Sequence, residues 1–414
     1  MNSKILKTLW LVAFAVGLFS VAARFFLGKD LAAYNSYIPW GLWVSVYIYF
    51  VGMSAGAFLL STAVYVFKIQ RLEPIGKLSL LVALATLAGA LVTIFMDLGR
   101  PFRFWKVYAS PSATSMMTLM IWLYTSYIVL LVVQIRLAMR ADLVAASGRP
   151  GWFAAVARLL AGKEAPTPAR LEKDRHLLGI IGIVGIPLTL SFSGGVGALF
   201  GVVGARPYWN SALMPLLFIS GALASGAALV AVAFTLFRED RESAIFRDLT
   251  LLLANVVLGF LSLYVIFEWA EFSIHLYAAV PAEANAVRLV LFGPFWWVFW
   301  LVHIGLGVLV PLAILAPVAN RTDPSKVALA AGLIAFTFLA VRVNIVVPGL
   351  ALEELHGLKN AYSDARLNFN YFPNLWEWGV TAFSYSLVAL LFYVGCKNLP
   401  LLGPGAGTRE GGAR

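Results

Sequence analysis

A chain of 414 residues that is 61% hydrophobic and only 12% charged is not a water-soluble globular protein, which carries about 25% charged residues. Its apolar residues come in long blocks, and blocks of about 18 or more read as membrane spans; 13 Trp and 15 Tyr, many near block ends, fit interfacial anchoring. The formal charge of +11 belongs to that class and not to nucleic-acid binding, because excess Lys and Arg in a membrane protein sets orientation and meets anionic lipid.

Ten apolar blocks follow in chain order, at roughly 7–26, 41–67, 77–97, 117–136, 177–203, 211–237, 247–268, 293–316, 326–346 and 378–396. Each is long enough to cross about 30 Å of hydrocarbon at about 1.5 Å per residue. Lys4 and Lys7 precede the first block, but it is longer than a signal-peptide core and Arg24 follows it, so a retained helix is expected. The segment 137–176 holds Arg149-Pro150-Gly151, an apolar-faced stretch (Trp152, Phe153, Val156, Leu159, Leu160) and then a charged run. An amphipathic helix on the membrane surface and a solvated linker are both open for it. The Gly-rich tail 400–414 is expected to be disordered. One cysteine, Cys396, excludes a disulfide framework, a Cys-x-x-Cys zinc site and an iron–sulfur cluster held by this chain alone.

With the N-terminus inside, 21 of the 31 basic residues fall in inner segments. The positive-inside rule therefore places both termini in the cytoplasm.

The two halves resemble each other. Pro39-Trp40 precedes the small-residue run Gly52-Met53-Ser54-Ala55-Gly56-Ala57, and Pro207-Tyr208-Trp209 precedes Gly221-Ala222-Leu223-Ala224-Ser225-Gly226. Trp40 to Trp209 and Gly52 to Gly221 share an offset of 169, and Asp97 and Glu268, read as the ends of the third and seventh spans, are 171 apart. Both members of each pair run in the same direction, which describes a parallel repeat of four helices. The expected fold is all-α and integral to the membrane, with about ten transmembrane helices. Residues 1–36 form a first peripheral helix and outer loop, and 37–203 a first four-helix bundle that includes the basic cytoplasmic linker 137–176. A second bundle follows at 204–346, then an outer loop and last peripheral helix at 347–399.

An ionisable group in hydrocarbon costs several kcal/mol, so each one near a span has a partner or a task. Asp97-Leu98-Gly99-Arg100-Pro101 closes the third span; Asp97 and Arg100, three apart, are expected to pair. The plain alternative is an interfacial salt bridge with a proline stop. Glu268, Glu271 and His275 follow i, i+3, i+7 as one stripe, made of groups that exchange protons near neutral pH or merely collar the lipid surface. His303 lies about ten residues into the eighth span, and Arg342, with Asn344, in the outer part of the ninth. A buried Arg must face an acid or a water-filled cavity, so Glu268 or Glu271 is its expected partner. His176, His275, His303 and His356 fall at different depths, and haem is not expected.

Pro39-Trp40-Gly41-Leu42-Trp43 running into Tyr47, Gly52 and Ser54-Ala55-Gly56-Ala57-Phe58-Leu59-Leu60 resembles the signature of the polysulfide reductase (NrfD-type) membrane subunits. Asp97-Leu98-Gly99-Arg100-Pro101 with Arg103-Phe104 is a second match, and Pro207-Tyr208-Trp209-Asn210, Pro215-Leu216-Leu217-Phe218 and Ser225-Gly226-Ala227 a third. The likeness covers about 37–346. With Tyr371-Phe372-Pro373-Asn374-Leu375-Trp376-Glu377-Trp378 leading into a tenth span, the chain looks most like the longer members. The resemblance implies two four-helix bundles in a bacterial or archaeal cytoplasmic membrane. It implies a quinone site, for menaquinone by expectation, in the first bundle near the outer face, with no redox cofactor in this chain. Its implied partners are a docked ferredoxin-like iron–sulfur subunit and further redox catalytic or cytochrome subunits.

Carried over residue by residue, Asp97 and Arg100 match the helix-end motif, and Trp40 and Tyr47 the motif at the start of the second span. Family quinone sites often place a His near that start; here the stretch is Tyr34-Asn35-Ser36-Tyr37-Ile38, and Asn35, Tyr37 or Tyr127 are the candidate donors to the quinone. The expectation is a two-electron quinone exchange with Asp97 as proton acceptor or donor, Arg100 tuning it, and Trp40 and Tyr47 walling an apolar pocket. Glu268, Glu271, His275, His303 and Arg342 would form a separate proton path. The rivals are a secondary transporter, with its broken helix at Pro187 and Ser193-Gly194-Gly195, and a passive membrane anchor.

Overall fold

The computed structural model describes residues 3–162, 166–238, 241–278, 280–353, 355, 357–362, 364 and 367–401. Among these residues the chain is helical, without strands. The first four long helices are α1 (Ser3–Leu27), α2 (Leu42–Tyr65), α3 (Glu73–Asp97) and α4 (Met116–Ala138). Two short helices follow, α5 (Arg140–Ser147) and α6 (Phe153–Ala161), then α7 (Pro168–Gly201), α8 (Met214–Phe237) and α9 (Ala244–Ala278). The short α10 (Pro281–Phe292) precedes α11 (Val298–Leu315), α12 (Pro324–Leu350) and α13 (Leu375–Asn398). Ten of these, all but α5, α6 and α10, are long and apolar enough to cross a membrane.

Local chemistry sets the ends. Ser115, Thr167, Asp323 and Asn374 cap α4, α7, α12 and α13 through their side chains, supplying acceptors for amides left free in a first helical turn. α3 stops at Asp97, four residues before Pro101, and Leu98 already has an extended backbone. No proline follows Glu268 until Pro281, so α9 runs ten residues beyond it. Glu268 is therefore not a helix end, and its likeness to Asp97 is one of helix order only. α7 is continuous through Pro187 and Gly194-Gly195.

α2, α3, α4 and α7 pack as one set, and α8, α9, α11 and α12 as another; α1 and α13 pair with each other, α13 resting on α3. The sets meet along α2 and α8, where the two small-residue runs cross. A Cβ on Gly56 would overlap the Ala222 carbonyl, and one on Gly226 would lie 2.5 Å from the Ala57 amide nitrogen. Glycine is what lets these backbones touch, the main source of helix association where lipid is as apolar as the side chains.

The linker is largely helical. Arg140 is buried, pairs with Asp174 at the start of α7, and donates to the Ala161 carbonyl at 3.1 Å. That brace folds α5 and α6 onto each other and turns Trp152 and Leu159, 68% and 82% exposed, away from the protein. The segment is thus helical over Arg140–Ser147 and Phe153–Ala161, with apolar side chains of the second helix facing outward. His356, Lys163 and the tail 402–414 lie outside the described residues.

Candidate functional site

At the end of the molecule where α3 finishes, Asp97 is 6% exposed, and its Oδ1 has no hydrogen-bond donor among the described residues. Its ion partner is Lys29, with Nζ at 3.6 Å. Arg24, buried on α1, donates to the Met96 carbonyl at 2.9 Å and the Leu98 carbonyl at 2.7 Å, taking up acceptors that a helix C-terminus leaves free. Lys29 also lies over the Tyr34 ring, 5.1 Å from its centroid.

The loop that carries Lys29 and Tyr34 is fastened to α13. Glu377, fully buried, accepts from the Ala33 amide at 2.9 Å and from the Tyr371 hydroxyl; that hydroxyl accepts from the Leu42 amide at 2.7 Å. Asn374 donates to the Leu31 carbonyl at 2.6 Å. Burial pushes the Tyr34 hydroxyl well above its ordinary range, with Asp97 and then Tyr371 adding to the shift. Tyr371 is raised by burial first and Glu377 second. Both are neutral hydrogen-bonding groups at physiological pH.

The first-bundle candidates separate into four places. Arg100 is exposed and pairs with no acid among the described residues; once Leu98 leaves the helix, i, i+3 spacing no longer brings Asp97 and Arg100 together. Trp40 sits at the junction of the two sets, its ring 6.1 Å from those of Trp209 and Phe200. Tyr47 faces Tyr124 at 6.3 Å; the Tyr124 hydroxyl is buried without a partner among the described residues, and Tyr127 bonds Ser54 Oγ at 2.9 Å. Asn35 accepts from the Tyr37 and Ile38 amides and donates to Asn370, while Tyr37 stacks on Phe369 at 4.4 Å. These last two clasp the loops around residues 35 and 370.

The second set holds a tighter cluster. Glu268, Glu271 and His275 are all buried on one face of α9. Tyr264, one turn earlier, donates to Glu268 Oε1 at 2.9 Å, and His303 brings Nε2 to 3.3 Å from Glu268 Oε2. His303 stands in a π-wound stretch, Val298–Leu309, a wider winding that recurs at functional sites. Ser211, just before α8, donates to Glu271 Oε2 at 2.7 Å, and His275 Nδ1 lies 3.7 Å from Glu271 Oε1.

Arg342 departs from expectation. Its guanidinium lies 4.3 Å from the Phe218 ring centroid, and among the described residues it has no acid partner and Nη1 has no hydrogen bond. Asn344, on the same helix, is buried with both amide atoms unpartnered among those residues. A small cavity of about 20 Å³, lined by Tyr208, Tyr264, Glu268, Glu271 and Asn344 among others, lies beside them. It has room for one water, and its polar walls suit one. Burial first, then Glu268 and Glu271, raise the Tyr208 hydroxyl. A wider opening of about 340 Å³ begins at Ser211, Asn210 and Gly201, on the far side of the Ser211–Glu271 bond.

Sequence reasoning missed Lys29, Tyr34 and Glu377. The signal for Lys29 was a basic residue on the side that the charge bias assigns to the outside, two residues past a span. Glu377 stood in the motif before the last span, three residues after Asn374, which is capping-box spacing. Among the described residues no three His, Cys, Asp or Glu side chains gather as a metal site.

Residues 30–352 match the family model described as polysulphide reductase, NrfD. A selenate reductase subunit of Mesobacillus selenatarsenatis is 34% identical over 393 residues, covering 93% of this chain and 91% of the relative. The Hdr-like menaquinol oxidoreductase integral membrane subunit of Archaeoglobus fulgidus is 25% identical, covering 88% and 85%. The menaquinone reductase integral membrane subunit of Nitratidesulfovibrio vulgaris is 22% identical, covering 94% and 90%. On the extent of the family match, and on the relative above 30% identity, the chain belongs to the polysulphide reductase, NrfD family.

Proposed function

We propose that this chain is the quinone-reactive membrane subunit of a multi-subunit oxidoreductase, exchanging electrons between menaquinone and a docked iron–sulfur subunit. The observation that carries this reading is Asp97, a buried carboxylate at the end of α3 whose Oδ1 has no hydrogen bond among the described residues and faces Lys29 as its ion partner. Oxidation of a quinol releases two electrons, which pass to the partner's redox centre, and two protons. Asp97 accepts one proton from a headgroup hydroxyl and the other leaves to water at the aqueous edge of the site; in the opposite direction both return by the same routes. The Tyr124 hydroxyl and the Tyr47 ring offer a second polar and aromatic surface in the same bundle.

The α9–α11 cluster supports a separate proton path from the opening at Ser211 through Glu271 and the cavity to Glu268 and His303. Charge bias supports an orientation with both termini cytoplasmic and the Asp97 end outside, in a bacterial or archaeal membrane. Relatives named for selenate reductase, menaquinol oxidoreductase and menaquinone reductase support the quinone reading and a set of redox partner subunits. The carrier alternative is weakened by an unbroken α7, since carrier sites are built on interrupted helices.

The test is purification of the tagged chain from native membranes. A co-purifying iron–sulfur subunit with inhibitor-sensitive quinol oxidation is the expected result. A chain that purifies alone and drives solute uptake in proteoliposomes would overturn it.

A further inference from the structure

We infer that Lys29 is a positioning residue for the quinone chemistry, setting the charge of Asp97 through an ion pair that the Gly28 turn creates and the last helix holds in place. This rests on the role of Asp97 given under Proposed function.

Three features place Lys29 there. Gly28, immediately after α1, has φ 84° and ψ −172°, a region essentially reserved for glycine. That turn, followed by one 3₁₀ turn over Lys29–Leu31, brings Lys29 Nζ to 3.6 Å from Asp97 Oδ1. Next, the loop is tied to α13 and its N-cap by the Glu377–Ala33 and Asn374–Leu31 bonds. A loop fastened at these points presents its lysine in one position. Finally, the Lys29 side chain is 30% exposed while Asp97 is 8% exposed, so the pair stands between the buried carboxylate and the aqueous edge.

The other groups facing Asp97 are Arg24 from α1 and the Tyr34 hydroxyl from the loop, with Tyr371 farther off on the α13 side. Arg24 is committed to the Met96 and Leu98 carbonyls, and the tyrosines are uncharged. Lys29 is the cation not spent on backbone. An opposite charge within about 4–6 Å favours the ionised form of a carboxylate by about 1–3 pH units. The ionised form is the one that accepts a proton from quinol.

The experiment measures oxidation of a soluble menaquinol analogue by the intact complex in membranes, with an artificial electron acceptor, from pH 5 to pH 9. Lys29→Met is expected to move the acid limb of the turnover profile up by about one pH unit or more. Lys29→Arg is expected to restore most of that shift, and Gly28→Ala to move the limb the same way as Lys29→Met. Arg100→Met removes an exposed cation from the neighbouring turn and is expected to move the limb less than Lys29→Met does. Limb position is read from the shape of the profile and does not depend on how much complex assembles. A Lys29→Met profile that overlays the parent's overturns the inference, as does an Arg100→Met shift of equal size. Asp97→Asn separates the two readings: if it leaves turnover intact, the role of Asp97 fails; if it abolishes turnover and Lys29→Met does nothing, only the role of Lys29 fails.

Discussion

Asp97 and Glu268 each stand on the second helix of a four-helix set, and the protein answers their charges in different ways. Asp97 sits at a helix terminus beside a partly exposed lysine, within a loop clasped by the last helix. Glu268 sits ten residues inside α9 and meets a tyrosine and a histidine, next to a cavity sized for a single water. A fixed cation near the surface holds a carboxylate in one protonation state, ready for a ligand. A buried acid beside a hydroxyl and an imidazole suits proton transfer along a file of groups. The two sets each pack four long helices and differ in the chemistry built on them.

The largest break in this comparison comes from Asp97→Asn. If Asp97 handles a quinone proton, turnover falls by about 10²–10⁴-fold while the complex still elutes intact on size exclusion. Glu268→Gln sharpens the other side. Proton release per quinol oxidised, followed with a pH dye in vesicles, is expected to drop. Electron transfer slows by less than about tenfold, below the roughly hundredfold that a group acting directly on substrate contributes. The smallest effect concerns the junction between the halves. Gly226→Val forces a side chain against the Gly56 and Ala57 backbone and is expected to cost about 1–3 kcal/mol, seen as a lower unfolding midpoint in detergent. Both sites then lose activity together, because α2 and α8 support one each.

Much of the scaffold was legible from the chain. Ten apolar blocks became ten long helices, and Pro101 marked the end of α3 within a few residues. The end of α9 was not legible, because the stretch after Glu268 mixes charge with apolar residues and lacks a breaker before Pro281. The Glu268–Glu271–His275 stripe follows from helical spacing alone. His303 joining Glu268 does not, since it depends on the winding of a different helix. Asp97 was singled out as a charge near a span that needs a partner or a task, but its partner was misjudged. The i, i+3 argument assumes a helix that has already stopped, whereas Lys29 arrives from about 70 residues away through a glycine turn. Arg342 was expected to meet an acid and meets the face of Phe218, a contact that no sequence spacing reveals.

The central claim is that quinone binds the first set and not the second. Photolabelling of the intact complex with an azido-menaquinone analogue, followed by peptide mapping, tests it most directly. The account predicts label, displaced by excess menaquinone analogue, on peptides from 28–47 and 93–127. Displaceable label on peptides from 264–275 or 298–309, with none on the first set, would contradict it.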